Sequence, residues 1–237
     1  MANGDTGQVP LGRRARLPLL RGLYAIADGS SALPPLALVE AFLRAGVTVV
    51  QLRLKQAGAG ELLRVAREAV RACRERGALL LVNDRPDVAR LAGADGVHLG
   101  QDDLPIAEAR AVLGGEAIVG ISTHSEGELD LALAAGADYV GFGPVFATAT
   151  KAATAPFASP LPAPHGPQGL ARAVARARGV PVIAIGGITA ANAGLLAGAG
   201  AAGIAAIGEL CGAGDPEARA RALIAAFAPS RGGARAG

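Results

Sequence analysis

The chain has 237 residues, about one and a half average domains or one large α/β domain, and at 51% hydrophobic it can fill a sizeable core. Gly 34 plus Pro 15 is about 21% of the chain, below the roughly 25 to 30% of low-complexity disorder, and Cys73 and Cys211 stand in no disulfide-framework or metal-ligand spacing. The net charge of +3 sits in the tails, since residues 1–21 contribute +3 and residues 229–237 contribute +2; that leaves −2 for the body, which with no Trp and two Tyr argues against nucleic-acid binding.

Residues 1–21 read as a basic, disordered tail. Arg13, Arg14 and Arg16 are followed by no apolar stretch of signal-peptide length, so a cytoplasmic protein is expected. Short apolar runs of the kind buried on both faces then recur at 23–27, 48–52, 79–82, 96–99, 117–121, 139–142, 182–185 and 203–207. Three of them follow a repeated phrase, AGADGVHLG at 92–100, AGADYVGFG at 135–143 and a worn AGAAGIAAIG at 199–208, which reads as a glycine helix stop feeding a strand. Helical stretches lie between the runs. The clearest, 61–76, places Leu62, Ala66, Ala69 and Cys73 on one face and the pairs Arg64/Glu68 and Arg71/Glu75 on the other. The chargeless stretch 179–208 is broken by glycines, Pro181 and Asn192 and is not a membrane span.

Eight alternating strand and helix units predict one closed (β/α)8 TIM barrel over 22–228, an α/β fold. A doubly wound open sheet is the alternative, but ADGSS at 27–31 lacks the glycine-rich fingerprint it needs after its first strand. The Ala/Pro-rich segment 152–169 reads as a long lid or spacer loop, and 229–237 as a flexible C-terminal tail.

Barrels of this kind do chemistry where strands end. The polar residues following the runs are Asp28, then Gln51, Arg53 and Lys55, then Asn83 and Asp84, then Gln101, Asp102 and Asp103, then Ser122 and His124, then Thr148, Thr150 and Lys151. Of 23 basic residues only Lys55 and Lys151 are lysines, and both follow strand ends, as expected where a compact ammonium is not exchangeable for a guanidinium. Cations, the Asn83 amide and the carboxylates Asp84 and Asp103 suit a polyphosphate held through Mg²⁺, and Gly186, Gly187 and Gly208 suit backbone binding of a simpler phosphate. His98 reads as a hydrogen-bonded core residue, His124 as a structural loop residue with an acid/base role as its alternative, and His165 as an exposed loop residue.

These residues lie in the motifs QLRLK (51–55), VNDR (82–85), GVHLGQDDLP (96–105), VGISTHS (119–125), YVGFGPVF (139–146) with TATK (148–151), and IGGI (185–188). In this order, from about 23 to 227, they resemble the thiamine phosphate synthase family, and several are shared with the related thiazole tautomerases. The resemblance implies a transferase of the pyrimidinylmethyl group, joining hydroxymethylpyrimidine diphosphate to a thiazole ethyl phosphate and releasing pyrophosphate. It implies that Gln51, Arg53, Lys55, Asn83, Ser122 and Lys151 bind the pyrimidine diphosphate and that Leu52 and Leu54 are substrate-binding too, with Arg53, Lys55, Ser122 and Lys151 catalytic. Asp84 and Asp103 would bind Mg²⁺, while Thr148, Ala149 and Thr150 line the thiazole side and Gly187, Ile207 and Gly208 receive its phosphate. Gly208 stands where the family usually has Ser, and the 152–169 loop is longer than usual. The rival readings are a thiazole tautomerase, a Schiff-base aldolase and a catalytically weak phosphate-binding paralogue. Small-molecule substrates are expected rather than nucleic acid or membrane, and oligomeric state is left open, a homo-oligomer included.

Overall fold

Parallel strands need a crossover between them, which the intervening helices supply, and a parallel sheet must be covered on both faces. In the structure, a computed structural model that describes residues 12–148, 163–212 and 214–228, this requirement is met by closure. The strands are β1 (Gly22–Asp28), β2 (Val49–Arg53), β3 (Leu79–Asn83), β4 (Gly96–Leu99), β5 (Ile118–Thr123), β6 (Tyr139–Phe142), β7 (Val182–Ile185) and β8 (Gly203–Ala206). Each pairs in parallel with the next, and β8 returns to β1 through Gly22↔Gly203 and Leu23↔Ile204, closing the barrel in sequence order. A short α1 (Arg13–Arg16) precedes it. The connecting helices are α2 (Pro35–Arg44), α3 (Ala59–Glu75), α4 (Pro86–Ala92), α5 (Ile106–Leu113), α6 (Glu126–Ala134), α7 (Gly166–Arg176) and α8 (Ala193–Gly198), followed by α9 (Gly208–Cys211) and α10 (Pro216–Phe227).

Side chains along a strand alternate between two faces. Val50, Leu52, Leu80, Val82, Val97, Leu99, Val119 and Val140 point outward and pack with helix residues such as Phe42, Ala66 and Leu170. The intervening residues Tyr24, Ile26, Val49, Leu79, Leu81, Ile118, Tyr139 and Ile183 form a second, smaller core inside the barrel. Toward the strand ends the inner series turns polar, at Asp28, Gln51, Asn83 and Ser122, all buried. That change of character positions the site.

The structure departs from the sequence reading at three places. Residues 13–20, expected in a disordered tail, close the bottom of the barrel: Leu20 is buried in the inner core, Arg16 pairs with Asp95 at 2.6 Å and Arg13 with Asp138 at 3.5 Å. Apolar residues 17, 19 and 20 were too few to read as an element, yet an open barrel end needs a plug. The loop expected to reach residue 169 ends earlier, because α7 begins at Gly166. Finally, α3 runs one turn-fragment earlier than 61–76, with Arg64 and Glu68 paired at 2.9 Å, while Arg71 and Glu75 form no ion pair. No helix among the described residues is long and apolar enough to cross a membrane.

Candidate active site

The ends of β1 to β5 gather one polar cluster. At the end of β1 the Asp28 carboxylate accepts from Ser30 N at 2.9 Å and Ser30 Oγ at 2.6 Å, and it receives the Arg53 guanidinium from β2. Burial pushes the Asp28 carboxyl up, but the hydrogen bonds from Ser30 and Arg53 outweigh it and hold the group below its ordinary range. Gln51 donates its side-chain N–H to the Asn83 amide oxygen, joining β2 to β3. Lys55 sits just beyond β2, its Nζ 3.0 Å from Asp84 Oδ2.

Asp84 follows β3 in a left-handed backbone conformation, φ +61°, which Asp tolerates better than most residues. Its N–H donates to the His98 carbonyl at 2.9 Å, fixing the turn against β4. Asp103 accepts from Gly100 N at 2.7 Å and lies beside Asp84. Burial raises the Asp103 carboxyl above its ordinary range, and the neighbouring Asp84 carboxylate raises it further. Two hard oxygen donors side by side, their mutual repulsion eased by the part-exposed Lys55 and by the Gly100 N–H, are a donor set that fits a divalent cation. Among the described residues no group of three His, Cys, Asp or Glu side chains could hold a metal, so the remaining ligands would come from water and a bound anion, the usual arrangement for Mg²⁺.

On the other side of the mouth, β6 to β8 border a cavity of about 270 Å³ lined by His124, Gly143, Thr148, Ile185, Gly187, Ile207, Gly208 and their neighbours. This is near the lower end of small-ligand clefts, roughly 300 Å³. Gly187 has φ +63°, and a Cβ there would stand 2.4 Å from the Ala147 carbonyl oxygen, so no other residue fits. His124 borders this cavity with its backbone N–H donating to Glu128 Oε2 at 2.7 Å and its Nδ1 3.1 Å from the same oxygen.

Gln51, Arg53, Lys55, Asn83, Asp84, Asp103 and Ser122 thus converge at the ends of β2 to β5, while Thr148, Gly187, Ile207 and Gly208 border the adjoining cavity. Leu52 and Leu54 do not join them: both side chains are buried in the outer core, so strand alternation leaves only their backbone available to a ligand. Ala149, Thr150 and Lys151 lie outside the described residues. His165, read as exposed, is half-buried instead, because it stacks on Phe142 at 4.7 Å and donates from Nε2 to the His124 carbonyl at 2.9 Å. Two partnerships escaped the sequence reading: that of Asp28 with Arg53, and that of Gln101, itself named after the fourth run, whose Nε2 donates to the Ser122 carbonyl at 2.6 Å. Asp28 stood after the first run, but nothing in the chain marked which cation it would meet.

A model of the family described as thiamine monophosphate synthase matches residues 23–210. A thiamine-phosphate synthase of Anaeromyxobacter dehalogenans is 48% identical over 225 residues, covering 94% of each chain. Another from Chlorobium luteolum is 47% identical over 199 residues, covering 84% of this chain and 90% of its own. Among solved structures, the thiamine phosphate pyrophosphorylase from Pyrococcus furiosus superposes with a TM-score of 0.79 at 34% identity, over 89% of this chain and 97% of that one.

Proposed function

The chain belongs to the thiamine monophosphate synthase family, and we infer from that membership and from the barrel mouth that it makes thiamine monophosphate. The substrates of this reading are hydroxymethylpyrimidine diphosphate and a thiazole ethyl phosphate, and the class of enzyme is a transferase. The observation that carries it is the contact of Lys55 with Asp84, with Asp103, Arg53, Asn83 and Ser122 gathered beside them and a separate glycine-lined cavity next to them. One region suits a diphosphate with its cation, the other a neutral ring with a monophosphate.

Asp84 and Asp103 would hold Mg²⁺, which supplies charge neutralisation to the diphosphate when bound. Arg53 and Lys55 add positive charge, and the Ser122 hydroxyl and Asn83 amide add hydrogen-bond donors. The bond that breaks joins the pyrimidine methylene carbon to a diphosphate oxygen, and its electron pair leaves with pyrophosphate. The bond that forms joins the same carbon to the thiazole nitrogen, which supplies the new pair. Negative charge grows on the leaving group, so donors and cations aimed there lower the barrier without any group removing a proton. Ala149, Thr150 and Lys151 belong to the same reading on sequence alone. Supplying both substrates and Mg²⁺ and measuring pyrophosphate release tests it; release without the thiazole phosphate, or none with both, would count against it. The tautomerase reading keeps one supporting observation, the His124–Glu128 contact at the cavity, and predicts proton exchange on the thiazole with no pyrophosphate formed.

A further inference from the structure

Beneath the mouth, four side chains form one unbroken line of hydrogen bonds through the barrel interior. Tyr24 Oη lies 2.8 Å from Tyr139 Oη, Tyr139 Oη lies 2.8 Å from His98 Nδ1, and His98 Nε2 lies 2.9 Å from Ser122 Oγ. The barrel makes room for this line. A Cβ on Gly120 would stand 2.0 Å from Tyr139 Cζ, and a Cβ on Gly141 would touch His98 Cε1 at 3.4 Å. The β5 and β6 residues facing the two rings are therefore glycines, in register with Tyr139 and Ser122 themselves.

The direction of each hydrogen bond follows from counting donors. Burial raises both phenols above their ordinary range, so each stays neutral with one proton to give. Tyr139 is the hydrogen-bonding partner of the buried Tyr24 hydroxyl, so Tyr24 donates to it. Tyr139 then gives its own proton to His98 Nδ1. A neutral imidazole whose Nδ1 accepts carries its proton on Nε2, and that N–H donates to Ser122 Oγ. Ser122 receives a hydrogen bond from below and keeps its own O–H free to point elsewhere. The reverse direction would have Ser122 donate downward, leave Tyr24 with no acceptor among the described residues, and turn serine lone pairs toward the mouth.

We propose that Tyr24, Tyr139 and His98 are positioning residues whose hydrogen-bond line sets the Ser122 hydroxyl as a donor toward the leaving diphosphate. This rests on the proposed function for what Ser122 faces. A hydroxyl donating to an anion is a charge-assisted bond, stronger than one between neutral groups, and it strengthens as leaving-group charge grows. Loss of the line should therefore lower kcat more than it raises KM for the diphosphate.

The test joins a spectroscopic readout to a kinetic one. ¹⁵N NMR of histidine side chains in the whole enzyme, with the His98 signals assigned by their loss in His98→Gln, should show a neutral ring protonated at Nε2. In Tyr139→Phe that preference should weaken and kcat should fall by roughly 10- to 100-fold. Tyr24→Phe should cost less than about threefold, since Tyr139 still donates to Nδ1. His98→Gln, which keeps an amide N–H near the Nε2 position, should retain more kcat than His98→Leu. A wild-type ring protonated at Nδ1, or a Tyr139→Phe enzyme with unchanged kcat, overturns the proposal. The tautomer is read without turnover, so it decides the direction of the line even if the diphosphate reading fails.

Discussion

Lys55 sits 3.0 Å from Asp84 at the barrel mouth, which is the environment expected of a lysine kept in a chain whose other basic residues are nearly all arginine. A guanidinium spreads the same charge over a larger planar fork, so Lys55→Arg should lower kcat while Arg64→Lys, on the outer face of α3, changes nothing measurable. Steady-state kinetics on both variants checks this, and equal silence would refute the argument from lysine scarcity. Asp28 supports the site differently. Its removal takes from the largely buried Arg53 the carboxylate it pairs with, so Asp28→Asn should destabilise the fold, at the low end of roughly 3 to 5 kcal/mol. The folded carboxyl titrates below its unfolded value, so its stabilisation is present above the ordinary 3.8 and is lost as pH falls through the lower folded value. Denaturation between pH 2 and pH 7 should thus show a shallower acid limb in the variant. Gly208 opens α9 without a positive φ, so its backbone accepts a side chain. Gly208→Ser should lower KM for the thiazole phosphate alone by about tenfold, the return of one hydroxyl donor to a charged group; an unchanged KM would move the phosphate elsewhere.

At the scale of elements, the strands were legible because each is a run of apolar residues bounded by glycine or a polar residue, and β4, β6 and β7 fall where the runs do. The polar ends Asp28, Arg53, Asn83 and Ser122–Thr123 belong to their strands as well, a detail hidden because a polar residue inside a barrel mouth resembles a loop residue in sequence. Long-range partnerships were not legible. Tyr24 and Tyr139 are 115 positions apart, and nothing local says that their hydroxyls meet. The same holds for residues 13–20, whose partners Asp95, Glu116 and Asp138 are distributed over three loops. Leu20 fills the lower end of the inner core, so Leu20→Ala should cost about 2 to 5 kcal/mol and lower Tm, while kinetic constants of the folded enzyme stay as they are. Calorimetry beside an activity assay separates the two, and an unchanged Tm would return these residues to a tail.

For the whole molecule, closure of eight short strands brings residues from five of them to one side of the mouth and leaves a glycine-lined cavity on the other. Neither half alone accounts for a condensation; under the proposed function, together they would place an anionic leaving group and a nucleophile over one barrel. Family motifs made the set of residues and its division between two substrates legible, whereas the outward turn of Leu52 and Leu54 required the fold. In the proposed function Asp84 and Asp103 hold a cation against a departing diphosphate. The most direct measurement of this is the rate of pyrophosphate release with both substrates, in Mg²⁺ and in EDTA, for the wild type and for Asp84→Asn and Asp103→Asn. Release that requires Mg²⁺, stops in EDTA and falls at least about 100-fold in both variants without loss of fold is the predicted result. Full release in EDTA, or asparagine variants as fast as the wild type, would contradict it.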